Sequence, residues 1–289
     1  MSERSRGIAF VLLAALLWST GGLGIKLAEG GPMAIGGVRS LFALPVLIWA
    51  FRSSFASAGP TLRRPGVWAA AVSYAVCVTT FAASTRLTTS ANAIVLQYTG
   101  PIYVALLSGP FLGERPRTPD YVALGGCLVG MLLFSREDLS ATGSTGIALA
   151  LVSGVAFGLL PLFLRREIAS GAPLEAQVLA ILLGNVLAVV GTLPFIILSP
   201  PVGLQSWVSL ALLGTFQIAC AYLAFARGLR YLRAVEASVV QTVEPVLNPV
   251  WVWLGVGEVP GPWAVGGGLV VVASVLARSI WPAPATIRE

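Results

Sequence analysis

Apolar residues in this chain fall into long blocks separated by short polar breaks, rather than into the narrow stripes of half-buried elements. A helix needs roughly 20 mainly apolar residues to cross about 30 Å of hydrocarbon, so blocks of this kind predict transmembrane helices. The ten predicted spans begin near Gly7, Ala34, Gly66, Ala91, Pro119, Thr145, Glu175, Ser206, Val235 and Pro262. They end near Ala28, Arg52, Ser84, Phe111, Ser135, Leu164, Leu198, Ala226, Val256 and Ile280. Together they take up nearly all of the 289 residues and predict an all-α integral membrane protein.

Composition agrees: 56% of residues are hydrophobic and 10% charged, too few charges to cover a soluble globule of this size. A net charge of +6 would suit a nucleic-acid partner if the basic residues formed one patch. They sit at span ends instead, which argues for lipid and against nucleic acid. Lys26, Arg86 and Arg136 lie on one side of the ten-span arrangement and Arg39 lies within span two. The other fourteen of the 18 Lys and Arg residues share the side that carries both termini. The positive-inside rule then places both termini of this multi-pass protein in the cytoplasm, and a bacterial inner membrane is the expected location. An odd number of spans would destroy this asymmetry. Arg4 and Arg6 before the first block resemble a secretory signal, but the block is long and lacks an obvious small-residue cleavage site, so it reads as a retained span.

The chain repeats itself. Residues 81–116 laid over 225–260 give ten identities, against about three expected from composition. The matches are Phe81/Phe225, Ala82/Ala226, Arg86/Arg230, Ala93/Ala237, Val95/Val239, Gln97/Gln241, Pro101/Pro245, Gly113/Gly257, Glu114/Glu258 and Pro116/Pro260. Span one matches span six through Gly7/Gly146, Ile8/Ile147, Ala9/Ala148 and Leu12/Leu151, with Trp18 opposite Phe157. The predicted units are 1–137 and 138–289, each of five spans. Because five is odd, the second unit enters the membrane upside down relative to the first, giving inverted repeats. Two such halves can open to either side around a midplane site, although duplication also serves simply to build a stable bundle.

The segments QYTGPIYVALLSGPFLGERP (97–116) and QTVEPVLNPVWVWLGVGEVP (241–260) resemble the paired signatures of EamA-type drug/metabolite transporters, and the resemblance extends over essentially the whole chain. It implies a ten-helix exporter with a central cavity lined by spans one, three, four, six, eight and nine. The chain is most similar to bacterial exporters of aromatic and other neutral amino acids. Related branches carry drug-like cations, nucleotide sugars and other metabolites.

Polar side chains are costly in hydrocarbon and face protein or a wet cavity. Gln97, Tyr98 and Tyr103 on span four, with Gln241 and Asn248 on span nine, form the leading set of substrate-binding candidates. Trp18, Tyr74, Thr79, Asn92, Phe157 and Gln217 extend it, with Tyr222 a further polar position. For each of the polar ones, a hydrogen bond between helices with no ligand is an alternative of at least equal weight. Pro101 and Pro245 each remove an intrahelical hydrogen bond and predict matched bends. Such bends either shape the cavity or are static kinks. Gly21 and Gly22, opposite Pro161 in the span-one/span-six alignment, are the other candidate hinges or gates.

Two charges fall inside spans. Glu244 has three open roles: a proton site, a contact for a substrate amine, or a structural ion pair. The matching position in the first half is Gly100, so the role is not shared. Arg39 is expected to snorkel to the outer interface or to pair with a helix end. Glu114 and Glu258, beside Gly113 and Gly257, are expected to end helices and anchor loops. Gly125, Gly126, Gly130 and Gly266 to Gly268 predict close helix packing.

An intramembrane enzyme is disfavoured. The chain has no histidine to act as a base, and Asp120 and Asp138 lie at span ends. Cys77, Cys127 and Cys220 fall in separate spans and imply neither disulfides nor a metal site. No Gly-Lys phosphate loop for ATP is present, so no cofactor is expected and transport runs on gradients or exchange. A partner is expected in a small-molecule substrate, with neutral or aromatic amino acids first and organic cations or another metabolite as the alternative; a monomer and a dimer through spans five and ten are both open. A non-transporting membrane scaffold is the remaining rival.

Overall fold

In the computed structural model, residues 2–88, 90–134, 136, 143–256 and 261–281 are described. Among them the chain is helical, with no strand and a single isolated bridge between Glu29 and Val202. In chain order the main helices are α1 (Glu3–Ile25), α2 (Pro32–Phe55), α3 (Pro65–Leu87), α4 (Asn92–Leu112), α5 (Thr118–Phe134), α6 (Ser144–Ala169), α7 (Leu174–Leu198), α8 (Gly203–Gly228), α9 (Ala234–Gln241), α10 (Val243–Val256) and α11 (Pro262–Ile280). Eight of them, α1 to α4, α6 to α8 and α11, are long and apolar enough to cross a membrane. α5 is shorter, and α9 and α10 follow one another with only Thr242 between.

The outer surface is that of a protein solvated by lipid. Leu106, Leu254, Ile197, Leu198, Leu269 and Val122 are each at least 65% exposed, far more apolar surface than a soluble monomer tolerates. With no hydrophobic force to drive helices together in lipid, association depends on close packing of small residues. α5 and α11 illustrate this: a Cβ on Gly130 would lie 2.8 Å from the Gly267 carbonyl and 2.7 Å from Val271, and one on Gly126 would strike Ser274. Gly125 and Gly266 face open space and take no part.

The strongest helix pairings join the two halves of the chain. α3 packs on α6, α2 on α7, α5 on α11 and α1 on α8. Exchanging the halves maps this scheme onto itself, because α3 on α6 becomes α8 on α1 and the other two pairs are their own images. α4 against α6 is mirrored by α9 and α10 against α1.

Helix ends follow local chemistry. Gly113 has φ +68°, a left-handed conformation that an L-residue adopts only at a cost, and it terminates α4. The Glu114 amide donates to the Ser108 carbonyl at 3.2 Å, and its carboxylate accepts from Arg165 Nε at 2.7 Å and from the Ala234 amide at 3.1 Å. Loop anchoring by Glu114 is thus what the geometry shows. Gly257, Glu258, Pro260 and Asp138 lie outside the described residues.

The first and last helices meet at one end. Arg4 donates to the Ser279 carbonyl at 2.8 Å and to the Arg278 carbonyl at 3.1 Å. It also contacts Glu236 at 2.6 Å. Arg278 bonds Asp120 at 2.5 Å, and Asp120 accepts from Arg233 at 2.9 Å. This network joins α1, α5, α9 and α11, and Asp120 at its centre is 1% exposed.

Candidate functional site

Two breaks in the helix ladder prepare the site. Proline lacks an amide N–H, so Pro101 and Pro245 leave the carbonyls of Gln97 and Gln241 without their usual helical donor. α4 turns at Tyr98 and Thr99, and α9 gives way to α10 at Thr242, each just before its proline. The Tyr98 hydroxyl donates to the Glu244 carboxylate at 2.6 Å and lies 3.3 Å from the freed Gln241 carbonyl. A third break falls at Thr20, where the ladder of α1 restarts at Gly21 and the Thr20 hydroxyl turns back to the Leu17 carbonyl at 2.7 Å. Pro161 differs: it lies inside α6, which continues through it without interruption.

Between these breaks lie two adjoining chambers that share Trp18, Phe81, Gln217 and Glu244. The inner chamber, about 30 Å³, is completed by Arg39, Cys77, Val78, Gln97, Phe157, Ile218 and Tyr222. The outer one, about 90 Å³, is completed by Gly21, Gly22, Ile25, Thr85, Arg86, Ile94, Pro245 and Asn248. In this conformation the pair has room for a few waters and no more. Ile25, Thr85 and Arg86 close α1 and α3, so the outer chamber extends toward the end opposite the Arg4–Arg278 contact.

Aromatic rings and polar side chains share the lining, with further rings, Phe225 and Tyr74, packed behind it. Trp18 meets Tyr222 at 4.8 Å and Phe225 at 5.2 Å between ring centres, Tyr74 meets Tyr222 at 4.6 Å, and Tyr98 meets Phe157 at 5.5 Å. Gln97 donates to Ser153 at 3.0 Å, and Ser153 donates to the Cys77 carbonyl at 3.1 Å. Gln217 accepts from Arg39 at 3.3 Å. It lies in a π-helical stretch of α8, Leu213–Cys220, a wide-turn geometry that recurs at functional sites. Trp18 Nε1, Arg39 Nε, Gln241 Oε1 and Asn248 Oδ1 are buried without a partner among the described residues. Buried polar atoms usually have one, so several orphans around one cavity point to a ligand or to water.

Of the sequence candidates, Trp18, Gly21, Gly22, Gln97, Phe157, Gln217, Glu244, Pro245 and Asn248 line the chambers. Tyr98, Gln241 and Pro101 stand directly behind them at the breaks. Others fall outside: Tyr74 donates to Asn185 at 3.1 Å, Thr79 to the Ala75 carbonyl at 2.6 Å, and Asn92 to Thr88 at 2.9 Å. Tyr103 packs its Cβ over Gly158. Gly22 is held to glycine by contact, since a Cβ there would run into the Asn248 amide.

Arg39 requires a correction. It neither snorkels nor caps a helix end; it is 1% exposed, donates to Gln217 and to the Val78 carbonyl at 3.3 Å, and lines the inner chamber that Glu244 also lines. Its place near the start of span two suggested a short reach to the interface, but the side chain turns inward between α3 and α8. Phe81 and Arg86 were also missed, although both stand among the ten repeat identities that marked this region.

The sequence of this chain matches the EamA-like transporter family twice, over residues 5–136 and 144–279. The chain belongs to that family. The relatives of this EamA-like transporter include an uncharacterized transporter of Archaeoglobus fulgidus, 25% identical over 93% of this chain and 95% of the relative. YwfM of Bacillus subtilis, also an uncharacterized transporter, is 26% identical over 94% and 93%. The pseudopaline exporter CntI of Pseudomonas aeruginosa is 25% identical over 65% of this chain and 66% of its own. A solved crystal structure superposes with a TM-score of 0.79 at 21% identity, covering 95% of this chain and 97% of that one, which fixes the fold. The chain is therefore a multi-pass, all-helical membrane protein of a transporter family, and its chambers are walled by both family matches: Trp18, Arg39, Phe81 and Gln97 from the first, Phe157, Gln217 and Glu244 from the second.

Proposed function

We propose that this chain is a secondary exporter of small amphiphilic metabolites, with neutral and aromatic amino acids first, that works by alternating access through the paired chambers. In this reading ten helices cross a bacterial inner membrane as two inverted units, 1–137 and 138–289, with both termini cytoplasmic. The observation that carries it is the polar, orphan-rich cavity at the seam between the two matched halves. Inverted-repeat carriers place substrate at such a seam, beside interrupted helices. The meeting of Arg4 with the last turn of α11 supports an even number of crossings, and the exchange-symmetric packing supports two equivalent units. Apolar aromatic walls with a few placed polar groups suit an amphiphile and not a polyphosphate, which would need several buried cations. The chambers are smaller than an amino acid in this conformation, so loading requires the halves to part, with the breaks at Thr20, Tyr98 and Thr242 as the hinges and Gly21, Gly22, Pro101 and Pro245 beside them. A carrier of organic cations is the second reading, favoured by the Glu244 carboxylate in both chambers.

Export from inverted vesicles or proteoliposomes tests the proposal. Gln97→Leu and Gln217→Leu are expected to lower exchange of amino acids while the protein still reaches the membrane. Unchanged exchange in both variants would favour a role in which the chambers do not carry substrate.

A further inference from the structure

We infer that the inner chamber selects zwitterions, docking a substrate carboxylate at the Arg39 guanidinium and its ammonium at the Glu244 carboxylate. The inference rests on the export reading above and narrows it to a charge pattern. Arg39 and Glu244 line the same inner chamber, and neither forms an ion pair with the other or with any described residue. Arg39 is met only by two neutral oxygens, of Gln217 and Val78, and its Nε has no partner. Among the described residues Glu244 accepts only the Tyr98 hydroxyl, which occupies one oxygen and leaves the other open to a ligand.

Two opposite charges taken out of water are expected to pair, because an uncompensated buried charge is expensive. These two share a chamber and remain apart, with Trp18 and Phe81 on the same wall as Glu244. A molecule bearing both charges satisfies each at once and places its apolar side chain against Trp18, Phe157 and Tyr222. A lone amine satisfies Glu244 but meets Arg39 as a like charge, and a lone carboxylate meets Glu244 in the same way. Each like-charge contact in a desolvated site costs several kcal/mol, equivalent to well over tenfold in binding. Guanidinium is the right cation for the carboxylate end, since its planar fork matches a carboxylate bidentately. The internal pairing of Tyr98 with Glu244 also fixes which oxygen remains for the ammonium.

The test is counterflow by the full chain in proteoliposomes, corrected for leak in protein-free liposomes, with two matched sets of compounds. One set is phenylalanine, phenethylamine and 3-phenylpropionate; the other is leucine, isopentylamine and 4-methylpentanoate. The expected result is exchange of the amino acid about tenfold or more faster than of either singly charged partner in at least one set. Glu244→Gln is expected to raise the acid relative to the amino acid, and Arg39→Gln to raise the amine, so the two variants shift discrimination in opposite directions. The wild-type comparison stands alone if a variant fails to fold. Equal or faster exchange of an amine or an acid in both sets would overturn the zwitterion site while leaving export intact. Exchange of none of the six compounds by protein shown to be folded would overturn the export reading and the site together.

Discussion

The two ends of this transporter are built by opposite rules. At the end where the first and last helices meet, every ion pair of the described residues is found: Arg4 and Arg278 with Glu236, Arg233 and Arg278 with Asp120, Arg165 with Glu114, Arg64 with Glu167. At the other end the chamber is lined by Ile25, Thr85 and Arg86, and no described residue there forms an ion pair. The charged end closes the bundle by specific, directional contacts among α1, α5, α9 and α11. The chamber end leaves polar atoms such as Asn248 Oδ1 unpartnered. One end is therefore held shut as a latch by ion pairs and the other, the opening of the proposed cycle, is not, which is the asymmetry that the proposed alternating access requires.

The sharpest way to break the contrast is at Asp120, which holds two arginines at 1% exposure. Asp120→Ala leaves two cations facing one another, and losing one partner of a buried pair costs about 3–5 kcal/mol. A large fall in the apparent Tm of the purified protein is expected; a Tm within a degree of wild type would mean that the latch contributes little. Next is Gly22→Val, which drives a side chain into Asn248 without touching the latch. Overpacking costs about 1–3 kcal/mol, and here it falls on the chamber, so transport is expected to drop several-fold more than Tm does. Tyr98→Phe removes the donor that holds Glu244 and caps Gln241. A hydrogen bond to a charged group contributes about 1.5–3 kcal/mol, and leaving Glu244 free to swing is expected to lower exchange rates by about tenfold with expression unchanged. The smallest effect is expected at Arg64→Ala, because that arginine is 34% exposed in its pair with Glu167. Solvent screening of the arginine weakens the pair, but Glu167 is only 8% exposed, so a fall in Tm smaller than that of Asp120→Ala is expected with transport near wild type, and a fall as large would show that the latch extends along α3 and α6.

Much of this was legible in the sequence because hydropathy reports depth and duplication reports symmetry. The apolar blocks located the helices, and the identities at 81–116 and 225–260 marked the helices that wall the cavity. The prolines marked the breaks, although the ladder gives way two or three residues earlier, at Thr99 and Thr242, just past Gln97 and Gln241, whose carbonyls the prolines release. What the sequence hides is rotation about each helix axis. Tyr74 and Asn92 are as polar and as deep as Gln97, yet the turn of their helices aims them at Asn185 and Thr88 instead of the cavity. Arg39 was misread for the same reason. The π-helical stretch around Gln217 carries no compositional mark, and it resets the rotation of every residue that follows in α8.

The account stands or falls on whether the latch and the opening exchange states. With Cys77, Cys127 and Cys220 replaced by alanine, Thr85→Cys places one thiol on the outer chamber. The measurement is its reaction with a membrane-impermeant maleimide added outside intact cells, with and without Arg4→Ala to weaken the latch. The account predicts ready labelling in the latched protein and clearly slower labelling once Arg4 is removed, as the population shifts toward the state open at the other end. Labelling that is absent in the latched protein, or unchanged by Arg4→Ala, would contradict it.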